Sequence, residues 1–399
     1  MNEKKTGLVL TAGGARGAYQ AGVLKRVGEI ASLKGKPLPF SIIAGASAGA
    51  INGAALASRA EDFTVSTIKM CELWSNIKSS DVFKTDLLSI TRIMKDWAKD
   101  LSLGGVIGGG KAQSLLDASP LPKLIERGID FNGIQKAIDS NILYAIAISA
   151  TNYFSGKSFT FIQGAPGHPV WEKSRRIALT ARLNVEHIWA SSAIPIVFQP
   201  VLVHTQVGDF YFGDGGLRLV TPISPAIRLG ADKVFAVGVR SQRAVDERSK
   251  IELINLSENK SKLKSPPLAQ VIGVVLNSIF LDHLDTDIDH LRRINEIAET
   301  LAAANIEMKF QKEPIRKVGH LTISPSIDLA KIAEIYADRM PTVVRYVMDG
   351  LGASRSENAD LMSYLLFEKE YTGALIDLGY RDADERIDEV ESFISHQTI

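Results

Sequence analysis

Apolar and polar positions alternate in blocks along the first 240 residues, short apolar runs giving way to stretches of helical spacing. Residues 7–11 form a brief apolar run that ends in glycines, and Val23, Leu24, Val27 and Ile30 then share one helical face across 18–30. Residues 40–44 repeat the strand pattern, and 48–57 continue as a helix of small residues. Further strands are predicted at 143–149, 158–162, 207–212 and 233–239. The last is nearly all apolar, as a central strand covered on both faces should be. This alternation predicts an α/β fold with a mainly parallel sheet and helices on its faces.

An insertion of roughly eighty residues, about 61–139, separates the second and third strands, far longer than an ordinary connection. In it Ile90, Ile93, Met94, Trp97 and Leu101 make an apolar stripe, followed by Gly104-Gly105-Val106-Ile107-Gly108-Gly109-Gly110. A helix packed on the core with a flexible exit is the plainer reading, a mobile cap over 84–110 the sharper one. Residues 240–265 carry eleven charges and no apolar period, and Pro266 and Pro267 mark the next helix start. Beyond them Leu281, Leu284, Ile288, Leu291, Ile294, Ala298 and Leu301 keep a three-four repeat, and 320–323 carries a short strand signal. The predicted organisation is an α/β domain at 5–240 with its insertion, an exposed connection at 241–265 and a mostly helical region at 266–399.

Composition narrows the class. With 45% hydrophobic and 23% charged residues in 399, the chain reads as an ordinary globular protein. A net charge of +1 argues against a general nucleic-acid binder. One cysteine, Cys71, excludes an internal disulfide framework and a thiolate metal cluster, and suits a reducing compartment. The longest uncharged stretch, 37–58, holds two prolines, three glycines, three serines and Asn52, which is unlike a bilayer span. Lys4 and Lys5 ahead of Gly7-Leu8-Val9-Leu10 imitate a signal peptide, but Thr11, two glycines and Arg16 cut the apolar run short. A cytoplasmic protein is expected.

The strongest chemical feature is Gly45-Ala46-Ser47-Ala48-Gly49, between a predicted strand and a predicted helix. A nucleophile elbow needs that context: a sharp turn, small flanking residues, and a serine exposed at the positive end of the following helix. The second feature is Ala12-Gly13-Gly14-Ala15-Arg16-Gly17, where glycines let backbone N–H groups approach an anion. A dinucleotide loop would want an acidic residue at the end of the second strand. Ala44 and Gly45 stand there instead, so an oxyanion hole beside Ser47 is the better use of the same geometry.

A base for Ser47 is found more readily among carboxylates than histidines. His283, His290 and His320 lie far downstream, while His168, His187 and His204 precede the acid candidate and read as surface or capped side chains. Asp214, in Phe212-Gly213-Asp214-Gly215-Gly216 at a strand end, has glycines that let its carboxylate bend toward another side chain. A hairpin turn is the plainer reading of that motif, and Asp209 is a rival without its framing.

As a set these residues resemble the patatin-like phospholipase family, in bacterial-type form. The glycine loop, the Gly-x-Ser-x-Gly elbow and the Asp-Gly-Gly motif fall in the family's order, joined by Ala190-Ser191-Ser192-Ala193-Ile194-Pro195 and Thr221-Pro222-Ile223. The likeness runs from about Gly7 to Arg240. It implies a three-layer α/β/α sandwich and a metal-free Ser-Asp dyad, with Ser47 as nucleophile and Asp214 as base. Gly13, Gly14 and Ala15 would form the oxyanion hole, supported by Arg16, Gly17, Gly45, Gly49, Gly215 and Gly216. Ala12 departs from the glycine often found in the family. No cofactor is implied, and the expected substrate is a lipid ester, most plausibly a phospholipid or lysophospholipid.

Other readings stay open beside it. The same dyad would serve an acyltransferase or a thioesterase, and a chain of this fold without turnover would be a lipid-binding regulator. The cap would then open onto lipid. His283, Asp287 and His290 share a helix face that could present a metal, but with no HExxH or paired-Cys pattern the solvated side of a core helix is the better reading and no metal is expected. Lys260, Lys262 and Lys264 suit either a solvated linker or anionic headgroups. Peripheral contact with the inner membrane surface and a homodimer through the C-terminal helices complete the expectations.

Overall fold

The computed structural model describes residues 4–89, 91, 93, 95, 114–218, 223–241, 268–280, 284–304, 306, 315–342, 344–345 and 359–395. The glycine run 104–110, most of the 84–110 cap, the 242–265 connection with Lys260, Lys262 and Lys264, Thr221, Pro222, Pro266, Pro267, Leu281 and His283 lie outside the described residues.

Among the described residues ten strands make one sheet: β1 Thr6–Leu10, β2 Ile42–Ala46, β3 Ala145–Asn152, β4 Ser158–Gly164, β5 Glu172–Lys173, β6 Arg176–Thr180, β7 Val201–Thr205, β8 Gly208–Asp214, β9 Lys233–Val237 and β10 Gly319–Ile323. The order is β10-β9-β1-β2-β3-β4-β6-β5, and the half from β10 to β3 is parallel throughout. The side chains of its central strands alternate between two cores. Leu8, Leu10, Ile43, Ile146, Ile148 and Phe235 point to one, while Val9, Ile42, Ala44, Ala147 and Val234 point to the other. Helices cover both faces, which makes the fold an α/β/α sandwich with a helical C-terminal region.

The first core is closed by α1 (Gly17–Gly28), α2 (Ala48–Ala57) and α3 (Phe63–Ser75), and by the Lys369–Asp384 helix. α1 and that late helix approach closely, since Gly22 abuts the Ile376 carbonyl and Gly379 abuts that of Tyr19. The second core is closed by the Ile223–Arg228 and Leu284–Ala303 helices, through Ile223, Ala226, Leu284, Ile288 and Leu291.

Four strands differ from expectation. β2 runs to Ala46, two residues past the apolar run, because its parallel register with β1 (Gly7↔Ile42 to Leu10↔Gly45) carries the small residues into the ladder. Phe40 is buried ahead of the strand, stacked on Phe235 at 5.8 Å. The pair β5–β6 has no apolar run to announce it, since it is a polar, largely exposed sheet edge. β7 alternates, with Val201 and Val203 inward and Leu202 and His204 outward, and forms the hairpin partner of β8.

Candidate active site

One edge of β3 is shared by two strands, and this brings the site together. β2 pairs with its first half, ending at Ala46↔Ser149. β8 arrives from the opposite direction and pairs with its end, starting at Ala150↔Asp214. The residue that follows β2 and the last residue of β8 therefore meet. Ser47 Oγ donates to Asp214 Oδ2 at 2.5 Å, with Ser47 2% and Asp214 0% exposed.

Ser47 occupies φ 55°, ψ −125°, a region L-residues avoid, at a cost on the order of 1–3 kcal/mol. The surrounding fold imposes it. β2 must end and α2 must begin within one residue, with α2 folded back on the sheet. A Cβ at Gly45 would run into the Gly49 carbonyl, and one at Gly49 into the Leu10 carbonyl. Ser47 itself caps α2, so its hydroxyl sits near the positive end of a ten-residue helix.

Asp214 is pushed from the ordinary 3.8 up to about 7 by burial, against the opposing pull of hydrogen bonds from Ser47 Oγ and the Gly216 amide. Gly216 N donates to Oδ1 at 2.8 Å, leaving Oδ2 to the serine. Thr151 Oγ1 donates to the Asp214 carbonyl at 2.8 Å and fixes the end of β8. Burial thus raises the basicity of a carboxylate that would be a poor base in water.

The glycine loop lies beside this pair. Gly14–Arg16 is a short 3-10 turn leading into α1, and Gly14 lines the same cavity as Ser47. The first amides of such a turn have no partner within it and are free to meet an anion. Gly14 sits at φ 55°, and a Cβ there would collide with the Tyr364 carbonyl. Arg16 is 2% exposed and spends its guanidinium on the C-terminal region. Its Nε donates to Ser363 Oγ at 2.8 Å and its guanidinium lies 4.3 Å from the Tyr364 ring centre.

Below the loop runs a buried polar chain that sequence reasoning missed. Trp74 Nε1 donates to Asn52 Oδ1, Asn52 Nδ2 donates to the Gly17 carbonyl and to Gln20 Oε1, and Gln20 Nε2 donates to the carbonyls of Thr11 and Val237. It ties α1, α2, α3 and the ends of β1 and β9 into one unit. Asn52 is the one polar residue in the small-residue helix α2, and that is the available signal; Gln20 in α1, which also carries Lys25 and Arg26, has no comparable one.

The cavity at Ser47 is apolar and narrow, about 30 Å³, walled by Ile51, Leu73, Trp74, Leu124, Phe198 and Phe367. That is room for a water or two. Leu73, Trp74 and Leu124 belong to the insertion, and Phe367 to the C-terminal region.

The histidines stand apart. His187 is buried against Phe161 with Nδ1 on Asn184, and burial pushes it down to about 4. His204 Nδ1 and Asp209 lie 3.0 Å apart on the exposed face of the β7–β8 hairpin, which occupies the rival carboxylate. His168 faces Thr180 near the sheet edge. Among the described residues no group of three His, Cys, Asp or Glu side chains is placed to hold a metal ion.

The model of the family described as patatin-like phospholipase matches residues 8–227, more than half of the chain. The chain belongs to that family. The matched span runs from β1 to the Ile223–Arg228 helix and takes in the elbow, the glycine loop and the Asp214 turn. No curated protein matches the chain. Among solved structures, VipD from Legionella pneumophila is similar at 12% identity and TM-score 0.31, over 94% of this chain and 67% of that one. Human GIVD cytosolic phospholipase A2 is similar at 11% identity and TM-score 0.35, over 96% of this chain and 60% of that one. ExoU from Pseudomonas aeruginosa, solved with SpcU, is similar at 13% identity and TM-score 0.28, over 98% and 80%. The chain therefore spans about three fifths of the length of the human phospholipase. No described helix of this patatin-like protein is long and apolar enough to cross a membrane.

Proposed function

We propose that the chain is a lipid acyl hydrolase, with Ser47 as nucleophile, Asp214 as base and the amides of Gly13, Gly14 and Ala15 as the oxyanion hole. The observation that carries the reading is the 2.5 Å hydrogen bond from Ser47 Oγ to a fully buried carboxylate, at a strained elbow facing an apolar cavity. Family membership supports an ester of a lipid as substrate.

In this mechanism Ser47 Oγ attacks the ester carbonyl and its proton passes to Asp214 Oδ2. The tetrahedral oxyanion faces the glycine-loop amides, each worth about 3 kcal/mol of transition-state stabilisation. Collapse expels the alcohol, which takes the proton from Asp214 and leaves an acyl-Ser47 ester. Water then enters, gives a proton to Asp214 and attacks the acyl carbonyl. Release of the fatty acid returns the proton to Ser47. Asp214 held near neutrality suits both directions of transfer.

The test is intact mass after treatment with a fluorophosphonate probe. One adduct on wild type and none on Ser47→Ala is the expected result. Folded wild type without an adduct would turn the reading toward a regulator that binds lipid without turnover.

A further inference from the structure

Three consecutive residues at the end of one helix hold the main chains of both Ser47 and Asp214. Ser191 closes the Val185–Ser191 helix, and Ser192 caps it. Ser191 Oγ accepts from the Ser47 amide at 3.0 Å and donates to the Ser149 carbonyl at 2.6 Å. Ser192 Oγ has one proton to share between the Ile188 carbonyl at 2.9 Å and, more weakly, the Ser47 carbonyl at 3.3 Å. The Ala193 carbonyl accepts from the Asp214 amide at 2.8 Å.

We propose that Ser191–Ser192–Ala193 is the positioning clamp of the site, with Ser191 its central residue. The inference rests on the hydrolase reading above. Its physical basis is the junction on β3. Ser149 is the residue paired with the last residue of β2, and Ala150 is already paired with Asp214. Ser191 ties the first residue of the turn back to the strand at the point where β3 changes partner. A single group there must accept from an amide and donate to a carbonyl at once, and a hydroxyl does both. Ser191 is 0% exposed, so water has no easy way to replace it.

The clamp works against the strain at Ser47. The amide ahead of the unusual φ and ψ is gripped by Ser191 Oγ, while the carbonyl behind them accepts from the Ala50 and Ile51 amides of α2 and, more weakly, from Ser192 Oγ. Without those grips the turn can relax toward an ordinary conformation and swing Oγ off the axis to Asp214. The helix that carries the clamp is itself fixed by Asn184, whose side chain accepts from the His187 amide. Ser191 touches neither the reacting ester nor the proton in flight, and so acts through Ser47.

The experiment compares wild type with Ser191→Ala, Ser192→Ala and Ser66→Ala, the last removing a buried hydroxyl that donates only to the Leu56 carbonyl away from the site. Three quantities are read on each folded protein: the fluorophosphonate labelling rate, kcat and KM on a short-chain ester, and hydrogen exchange of peptic fragments spanning Ser47. Ser191→Ala should label and turn over at least tenfold more slowly with KM within twofold of wild type. Its Ser47 fragments should exchange at least tenfold faster. Ser192→Ala should show the same pattern more weakly, and Ser66→Ala should lose thermal stability alone. Labelling, kcat and exchange within threefold of wild type in Ser191→Ala would overturn the proposal, as would an equal loss in Ser66→Ala. Wild type that does not label would defeat the hydrolase reading instead, and unchanged exchange in Ser191→Ala would still defeat the clamp.

Discussion

Arg16, in the glycine loop, stacks its guanidinium 4.3 Å from the ring centre of Tyr364, a residue from the far end of the chain. Ser363 takes its Nε hydrogen bond, and Asp360, 24% exposed, lies 3.4 Å from its terminal nitrogen. Gly14 meanwhile abuts the Tyr364 carbonyl. The loop is therefore held from behind by the Ala359–Leu365 helix, whose contribution falls outside the span that matches the family. Arg16→Met keeps the length of the side chain and loses these partners. Breaking a buried charged contact of this kind costs about 3 kcal/mol, reduced somewhat by the partial exposure of Asp360. The variant is expected to unfold at lower denaturant and to lose kcat more than KM, both measurable on one preparation.

The rate should carry one titration near neutrality. Asp214 must be ionised to take the serine proton, so kcat/KM is expected to rise with pH and level off above about 7. Neighbouring groups do not compete for that assignment. Tyr153 is pushed up to about 12, by burial first and the Asp214 charge second, and His187 is pushed down to about 4 by burial. A profile on a soluble ester from about pH 5 to 9 reads the limb. A profile flat from about pH 5 to 9 would mean that no group raised to about 7 serves as the base.

Stability should move the opposite way from activity. Between about 4 and 7 the folded chain keeps a proton on Asp214 that the unfolded chain gives up, so wild type loses stability as pH rises, by at most about 1.4 kcal/mol per unit. Asp214→Asn has no such proton. Its amide still accepts from Gly216 and can donate to Ser47 Oγ. The variant is expected to be inactive, and its stability relative to wild type should grow from pH 5 to pH 8. Denaturant midpoints at the two values test this, and a constant difference would contradict it.

Phe367 closes the cavity against Trp74, with ring centres 6.5 Å apart, and is 6% exposed. Phe367→Leu keeps an apolar wall of smaller volume. The expected result is a higher ratio of kcat/KM for palmitate over butyrate esters, with the labelling of Ser47 retained. An unchanged ratio would move acyl selection to another wall.

Much of this site was legible because its chemistry demands particular small residues in fixed places. Gly45 and Gly49 advertise a turn too tight for side chains, and the glycines around Asp214 mark a strand end. The parallel half of the sheet was equally plain, because strands covered on both faces leave uninterrupted apolar runs. What escaped was whatever the chain assembles over distance. β5, β6 and β7 have no such run, being edge or hairpin strands. Ser191 and Ser192 stood out only as part of a family-like block, since a hydroxyl between two main chains has no local signature. Tyr364 sits in an ordinary helical pattern that does not say which face meets the glycine loop, and Phe367 lies in the short connection after that helix, with no local signature.

The shared edge of β3 also sets when the protein can become reactive. Ser47 leaves the ribosome 167 residues ahead of the carboxylate that would activate it. The helix behind the glycine loop is translated later still. A nascent chain thus exposes Ser47 as a serine of ordinary reactivity. On the proposed mechanism, only after β8 has slid in beside the end of β2, and the last helices have docked, do nucleophile, base and oxyanion loop coexist. Latency during synthesis then follows from topology.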